Sequence, residues 1–185
     1  MSEMLPLWLP ILATAILIFI ASSLIHMVFK WHNSDYGKLA NEDDIRAAIR
    51  ASAPPPGQYV LPHCLDMKGV QSEAMLKKFT EGPVAFVTVK KNSPPTMGSA
   101  LSLWFIYCIA IAAIACAIAV YAFGMNANPQ RAGCMVGLVS FLAFSGGSVQ
   151  MGIWMGKPWG SVAKDVLDGF IFACIAAATF WWLWP

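Results

Sequence analysis

From Asn92 to Gln130 the chain carries no Asp, Glu, Lys or Arg, and most of that stretch is apolar. No other feature narrows the possible folds as much. About 20 apolar residues in a helix are needed to cross a hydrocarbon core of roughly 30 Å, and four stretches reach or approach that length. They are 5–29, 99–123, 132–156 and 164–184. In the fourth, the apolar part begins near Val166 and is free of charge from Gly169 onward. Composition agrees, because 58% of the residues are hydrophobic and only 12% are charged, where soluble chains carry about 25% charged residues. The sequence therefore predicts an all-α integral membrane protein with four transmembrane helices and a small α/β extramembrane insert at 30–98. A net charge of +2 offers no basic surface, which excludes a nucleic-acid partner. The lipid bilayer is the first partner expected.

The leader Met1 to Leu5 carries Glu3 and no basic residue, and the apolar stretch after it is twice the length of a signal-peptide core. The first span thus reads as a retained anchor. Of the 12 basic residues, the nine between Lys30 and Lys91 lie in the first loop and Lys157 and Lys164 in the third, which leaves only Arg131 on the terminal side. Such a bias orients helices with the basic loops inward. The expectation is a bacterial-type inner membrane, with the insert cytoplasmic and both termini periplasmic. Trp8, Trp181, Trp182 and Trp184 would mark one interface, and Trp31, Trp104, Trp154 and Trp159 the other, as an aromatic belt does. A pigment or quinone site is the alternative use for them.

The insert is patterned. Asn41 followed by Glu42, Asp43 and Asp44 predicts a capped helix ending before Pro54. Gln58 to Leu61 reads as a short strand, Ser72 to Phe79 as a second helix stopped by Gly82, and Pro83 to Lys91 as a second strand. A module this small has little core of its own. Val84, Phe86 and Thr88, together with Trp104, Trp181 and Trp182 in the spans, are accordingly the expected partner contacts.

Spacing by four marks Ser148, Gly152, Gly156 and Gly160, and also Gly133 and Gly137, as helix-packing positions. Ala110, Ala113 and Ala117 form a comparable stripe, and adjacent Gly146 and Gly147 suggest a bend. Ionisable groups are costly at membrane depth and mark function there, so His26, Gln150, Lys164, Asp165 and Asp168 form a candidate polar pathway. At the start of a fourth span, the two aspartates would also suit a helix N-terminus, and Lys164 could pair with Asp168 four residues on.

His63, Cys64, Asp66 and Met67 form the one local cluster of metal-capable side chains in the insert. Neighbours on an extended segment point to opposite faces, and no second cluster supplies further ligands, so no metal is expected. A single histidine in a span cannot provide bis-histidine haem ligation, and no cofactor is expected. With no nucleotide or hydrolase motif in the chain, the leading expectation is a non-catalytic accessory or assembly subunit of a larger membrane complex. A small proton-coupled transporter is the alternative, and a membrane enzyme centred on His63, Cys64 and Asp66 is the third.

Overall fold

The computed structural model describes residues 6–185 and is mostly helical. It divides into two compact units, a helical bundle made of the residues up to Gly37 with Thr96–Pro185, and an insert spanning Lys38–Pro95.

The bundle holds α1 (Trp8–Ser23), α5 (Gly98–Phe123), α6 (Pro129–Met155) and α7 (Trp159–Leu183). A π-type turn over Leu24–Phe29 extends α1, giving four helices long and apolar enough to cross a membrane. Residue 5, the predicted start of the first span, lies outside the described residues. Pro10 sits in the first turn of α1, where a missing N–H leaves no bond unmade. Asn128 caps α6, its side chain accepting from the Gln130 amide at 2.9 Å, with Pro129 at the first helical position. Connections of a few residues, 124–128 and 156–158, make α5, α6 and α7 consecutive neighbours. α1 packs on both α5 and α7, which closes the ring.

The fourth helix begins at Trp159, five residues before the predicted 164, because Pro158 supplies the N-cap position and the helix then continues through the charged residues. Lys164, Asp165 and Asp168 are therefore interior positions, and the helix-capping reading of the aspartates is overturned.

The most extensive helix contact is between α6 and α7. A Cβ on Gly133 would stand 2.6 Å from the Ala177 carbonyl oxygen, and one on Gly137 would stand 2.8 Å from the Ala177 Cβ. Backbone meets backbone there, as small residues permit. Gly152 lies against Val162 and Trp159, while Gly160 has open space around it. Gly156 ends α6 in a left-handed conformation, φ 69°, so its role is to turn the chain. Gly169, absent from the spacing pattern, packs against Ser145. On α5 the buried residues are Cys108, Ala112, Ala115, Cys116 and Ala119, a different face from the Ala110, Ala113 and Ala117 stripe. α6 runs unbroken through Gly146 and Gly147.

The insert contains α2 (Glu42–Ser52), β1 (Gly57–Leu61), the single turn α3 (Met67–Val70), α4 (Glu73–Glu81) and β2 (Ala85–Val89). The strands pair antiparallel with Tyr59 opposite Val87. Ser72 caps α4 through the Met75 amide, whereas the Asn41 side chain makes no capping bond to α2. No residue from Lys38 to Pro95 is buried.

Candidate functional site

The site starts with the way α1 ends. In the π-type turn the His26 Nδ1–H donates to the Ser22 carbonyl at 3.0 Å, and Lys30 then adopts a left-handed backbone, φ 55°. A non-glycine residue holds that conformation only where its surroundings enforce it. The reversal starts a 3₁₀ turn, Trp31–Asp35, that brings the His32 ring parallel to His26, with centroids 4.8 Å apart and planes 3° from parallel.

His32 is then held at both nitrogens. Nδ1 donates to Asp35 at 2.7 Å, and Nε2 donates to Asp168 of α7 at 2.9 Å. Carboxylates only accept, so a ring bonded to one on each side is an imidazolium. Burial opposes its charge, but the bonds to Asp35 and Asp168 and their charges outweigh burial and raise its pKa above 6.5. Lys164 reaches from α7 to the same turn, donating to Asp35 at 2.6 Å, to Ser34 at 2.8 Å and to the Trp31 carbonyl at 2.9 Å. That ammonium is the main reason the Asp35 carboxyl falls to about 2, with His32 and Ser161 adding to it against the effect of burial.

One turn along, Asp165 accepts from Lys157 and from Ser148. Lys157 follows the left-handed Gly156 directly, so the turn that ends α6 delivers the cation. His32, Lys157 and Lys164 thus meet Asp35, Asp165 and Asp168, three positive groups against three negative. At 1.5 Å per residue, Asp168 lies about 13 Å along α7 from Trp159. A carboxylate that deep among apolar helices is costly unless paired, and His32 supplies the pair.

The Asp168 side chain keeps one buried oxygen, Oδ1, without a partner, and the indole N–H of Trp104 is also buried and unpaired. Both residues line a cleft of about 270 Å³ within the bundle. Its lining is polar at His26, Ser148, Asp165 and Asp168, and largely aromatic otherwise. There Trp104 meets Phe144 at 5.7 Å, and Phe144 meets Phe172 at 5.4 Å between ring centroids.

Of the predicted polar pathway, His26, Lys164, Asp165 and Asp168 come together, and Gln150 is exposed and does not join them. Lys164 pairs with Asp35 in place of Asp168, because the turn after α1 presents a nearer carboxylate. His32, Asp35 and Lys157 lie outside the polar pathway expected from the sequence. The available signal was the i, i+3 spacing of His32 and Asp35 just after an apolar span.

His26, His32 and Asp168 place ligand-capable atoms within 4.8 Å of one another. They do not fit a metal as arranged, since both His32 nitrogens are engaged by carboxylates and an ion cannot lie in two parallel, stacked ring planes at once. In the insert, Asp66 caps α3 through the Gly69 amide at 2.5 Å, the Cys64 thiol donates to the Asp66 carbonyl at 3.4 Å, and His63 is exposed. Those three serve or border a local turn.

Among the expected partner contacts, Val84, Phe86, Thr88, Trp181 and Trp182 are exposed. Trp104 is not free, being packed on Tyr107, Phe144 and Phe172, and Phe180 beside Trp181 is fully buried. No protein-family model, no curated protein and no solved structure matches the chain.

Proposed function

We propose that the protein is a non-catalytic accessory or assembly subunit of a larger inner-membrane complex, anchored by its four apolar helices and contacting a second protein through the insert. The observation that carries this reading is that none of the 58 residues from Lys38 to Pro95 is buried, although they form three helices and a two-stranded sheet. A lone two-stranded sheet is marginal in water. Val84 and Phe86 stand 56% and 54% exposed beside an open strand edge, which is the surface a partner strand or helix covers.

The charged network fits that role as a clamp. It ties the turn Trp31–Asp35, from which the chain continues into the insert, to α7 through His32 and Lys164. A transport pathway would continue such groups across the bundle. Among the described residues the network's charges gather where α1 and α6 end and α7 begins, while Arg131 at the start of α6 is the charged residue at the opposite helix ends.

The orientation that accompanies this reading has the insert cytoplasmic, on the strength of the basic-residue bias. In a cysteine-free background, Asn126→Cys should react with an impermeant maleimide in intact cells and Ser93→Cys should not. The subunit reading is tested by a photoreactive residue at Thr88 in native membranes. Adducts to one distinct protein are expected, and adducts confined to this chain would reject it.

A further inference from the structure

The cleft shares Asp168 with the clamp but extends beyond it, and its lining specifies a ligand. Asp168, which lines it, is only 6% exposed and keeps one buried carboxylate oxygen, Oδ1, without a donor. A buried acceptor left unpaired is costly. His26 adds a second acceptor, because its Nδ1 must carry the proton given to Ser22, which leaves Nε2 with a lone pair when the ring is neutral. Trp104 contributes one unpaired donor. The occupant that answers these atoms carries at least one O–H or N–H donor and a polar atom able to accept.

Charge decides between an ammonium and a neutral group. In the adjoining network three cations already balance three anions, and the second oxygen of Asp168 is bound to the His32 imidazolium. An added cation would leave an uncompensated charge in an apolar surrounding, whereas a hydroxyl adds none. The aromatic lining of Trp104, Phe144 and Phe172 suits the face or edge of a ring. Size agrees with one ring, since a cavity of about 150 Å³ takes benzene and this one, of about 270 Å³, has room for a few substituents.

We propose that the cleft binds a neutral hydroxylated aromatic ring, the head group of a phenol or quinol, with its hydroxyl donating to Asp168 and its ring against the Trp104, Phe144 and Phe172 wall. The site lies between apolar helices, so an amphiphile with such a head group could present it from the lipid phase.

The purified full-length chain in detergent, titrated calorimetrically, tests this with four probes of similar size. These are tetramethylhydroquinone kept reduced, tetramethylbenzoquinone, tetramethylbenzene and benzyltrimethylammonium. A hydrogen bond to a charged acceptor predicts that the hydroquinone binds one-to-one, roughly tenfold or more tighter than the quinone or the hydrocarbon. Ala143→Leu, which places a larger side chain in the cleft without touching the ion pairs, should abolish that binding while leaving partition into micelles unchanged. If Ala143→Leu does not fold, Trp104→Phe keeps the wall, removes the donor, and should weaken the hydroquinone severalfold. Equal binding of hydroquinone and quinone, tighter binding of the ammonium, no saturable binding, or hydroquinone affinity unaltered in the folded variant would each overturn the proposal.

Discussion

The bundle and the insert solve the same problem in opposite ways. In the bundle, Gly133 and Gly137 let α6 and α7 approach backbone to backbone, and Phe180, Val136 and Ala176 are fully buried beside them. In the insert, Ile45, Ile49, Leu76, Phe79 and Phe86 all stay more than a third exposed. Charges follow the same division. The Arg46–Asp43 pair of the insert is open to water at 3.1 Å, with side chains 60% and 94% exposed, while the His32–Asp168 pair of the bundle is 14% and 8% exposed. Screening leaves the first pair little energy. The second cannot be broken without stranding a charge among apolar helices. Order in the bundle is enforced by packing and pairing within the chain, whereas the insert keeps regular elements whose apolar side chains stay exposed.

The sharpest way to break this contrast is at the α6–α7 contact. Gly133→Ile must push a β-branched side chain into the Ala177 carbonyl and the Trp181 backbone, and should exceed the roughly 1–3 kcal/mol usual for overpacking. Loss of the folded species in detergent size-exclusion chromatography is the expected result. Gly160→Ala, with nothing near it, should be silent in the same measurement.

Next in size is the clamp. His32→Ala leaves Asp168 without its donor and should cost about 3 kcal/mol near pH 6, read as a fall in thermal unfolding temperature. The wild-type pH profile sharpens the point. A histidine pKa raised on folding stabilises fully below pH 6.5, and that contribution disappears as pH rises through the folded value. Asp35, lowered to about 2 from 3.8, contributes above 3.8 and loses its contribution as pH falls toward 2. Stability should therefore be greatest between about pH 4 and 6.5 and decline on the alkaline side, and His32→Ala should flatten that alkaline decline. His26, Asp35, Asp165 at 4.0 Å, Asp168 and Lys164 are the titratable or charged groups that surround the ring and its partners.

Smaller effects belong to the insert. Phe86→Ser should change the unfolding temperature of the isolated chain little, because the side chain is half exposed, yet should reduce crosslinking from Thr88 to a partner. Arg46→Ala should fall within about 0.5 kcal/mol of wild type, as exposed ion pairs do. A large loss of stability from either would show that the insert has a core of its own.

Much of this architecture was legible from residue order. Ser72 and Gly82 bracket α4 near the predicted positions. The second and third apolar stretches agree with α5 and α6 to within three residues. The start of α7 was misplaced because hydropathy treats Lys164, Asp165 and Asp168 as a cost to be kept at a boundary, whereas backbone hydrogen bonding carries the helix on once partners elsewhere neutralise them. The Gly156 and Gly160 spacing misled for a related reason, since period-four smallness marks a helix face without saying that a neighbour lies on it.

The four apolar lengths, the stops between them and the elements of the insert follow from residue order alone, because they depend on properties summed or capped over a few consecutive residues. That Lys164 serves Asp35, that Asp168 meets a histidine 136 positions away, and that Trp104 lines a cleft emerge only once the helices are packed. Ion pairing and packing depend on distances across space, and those distances are set by a left-handed Lys30 and the close approach of α6 and α7, neither of which is a property of local composition.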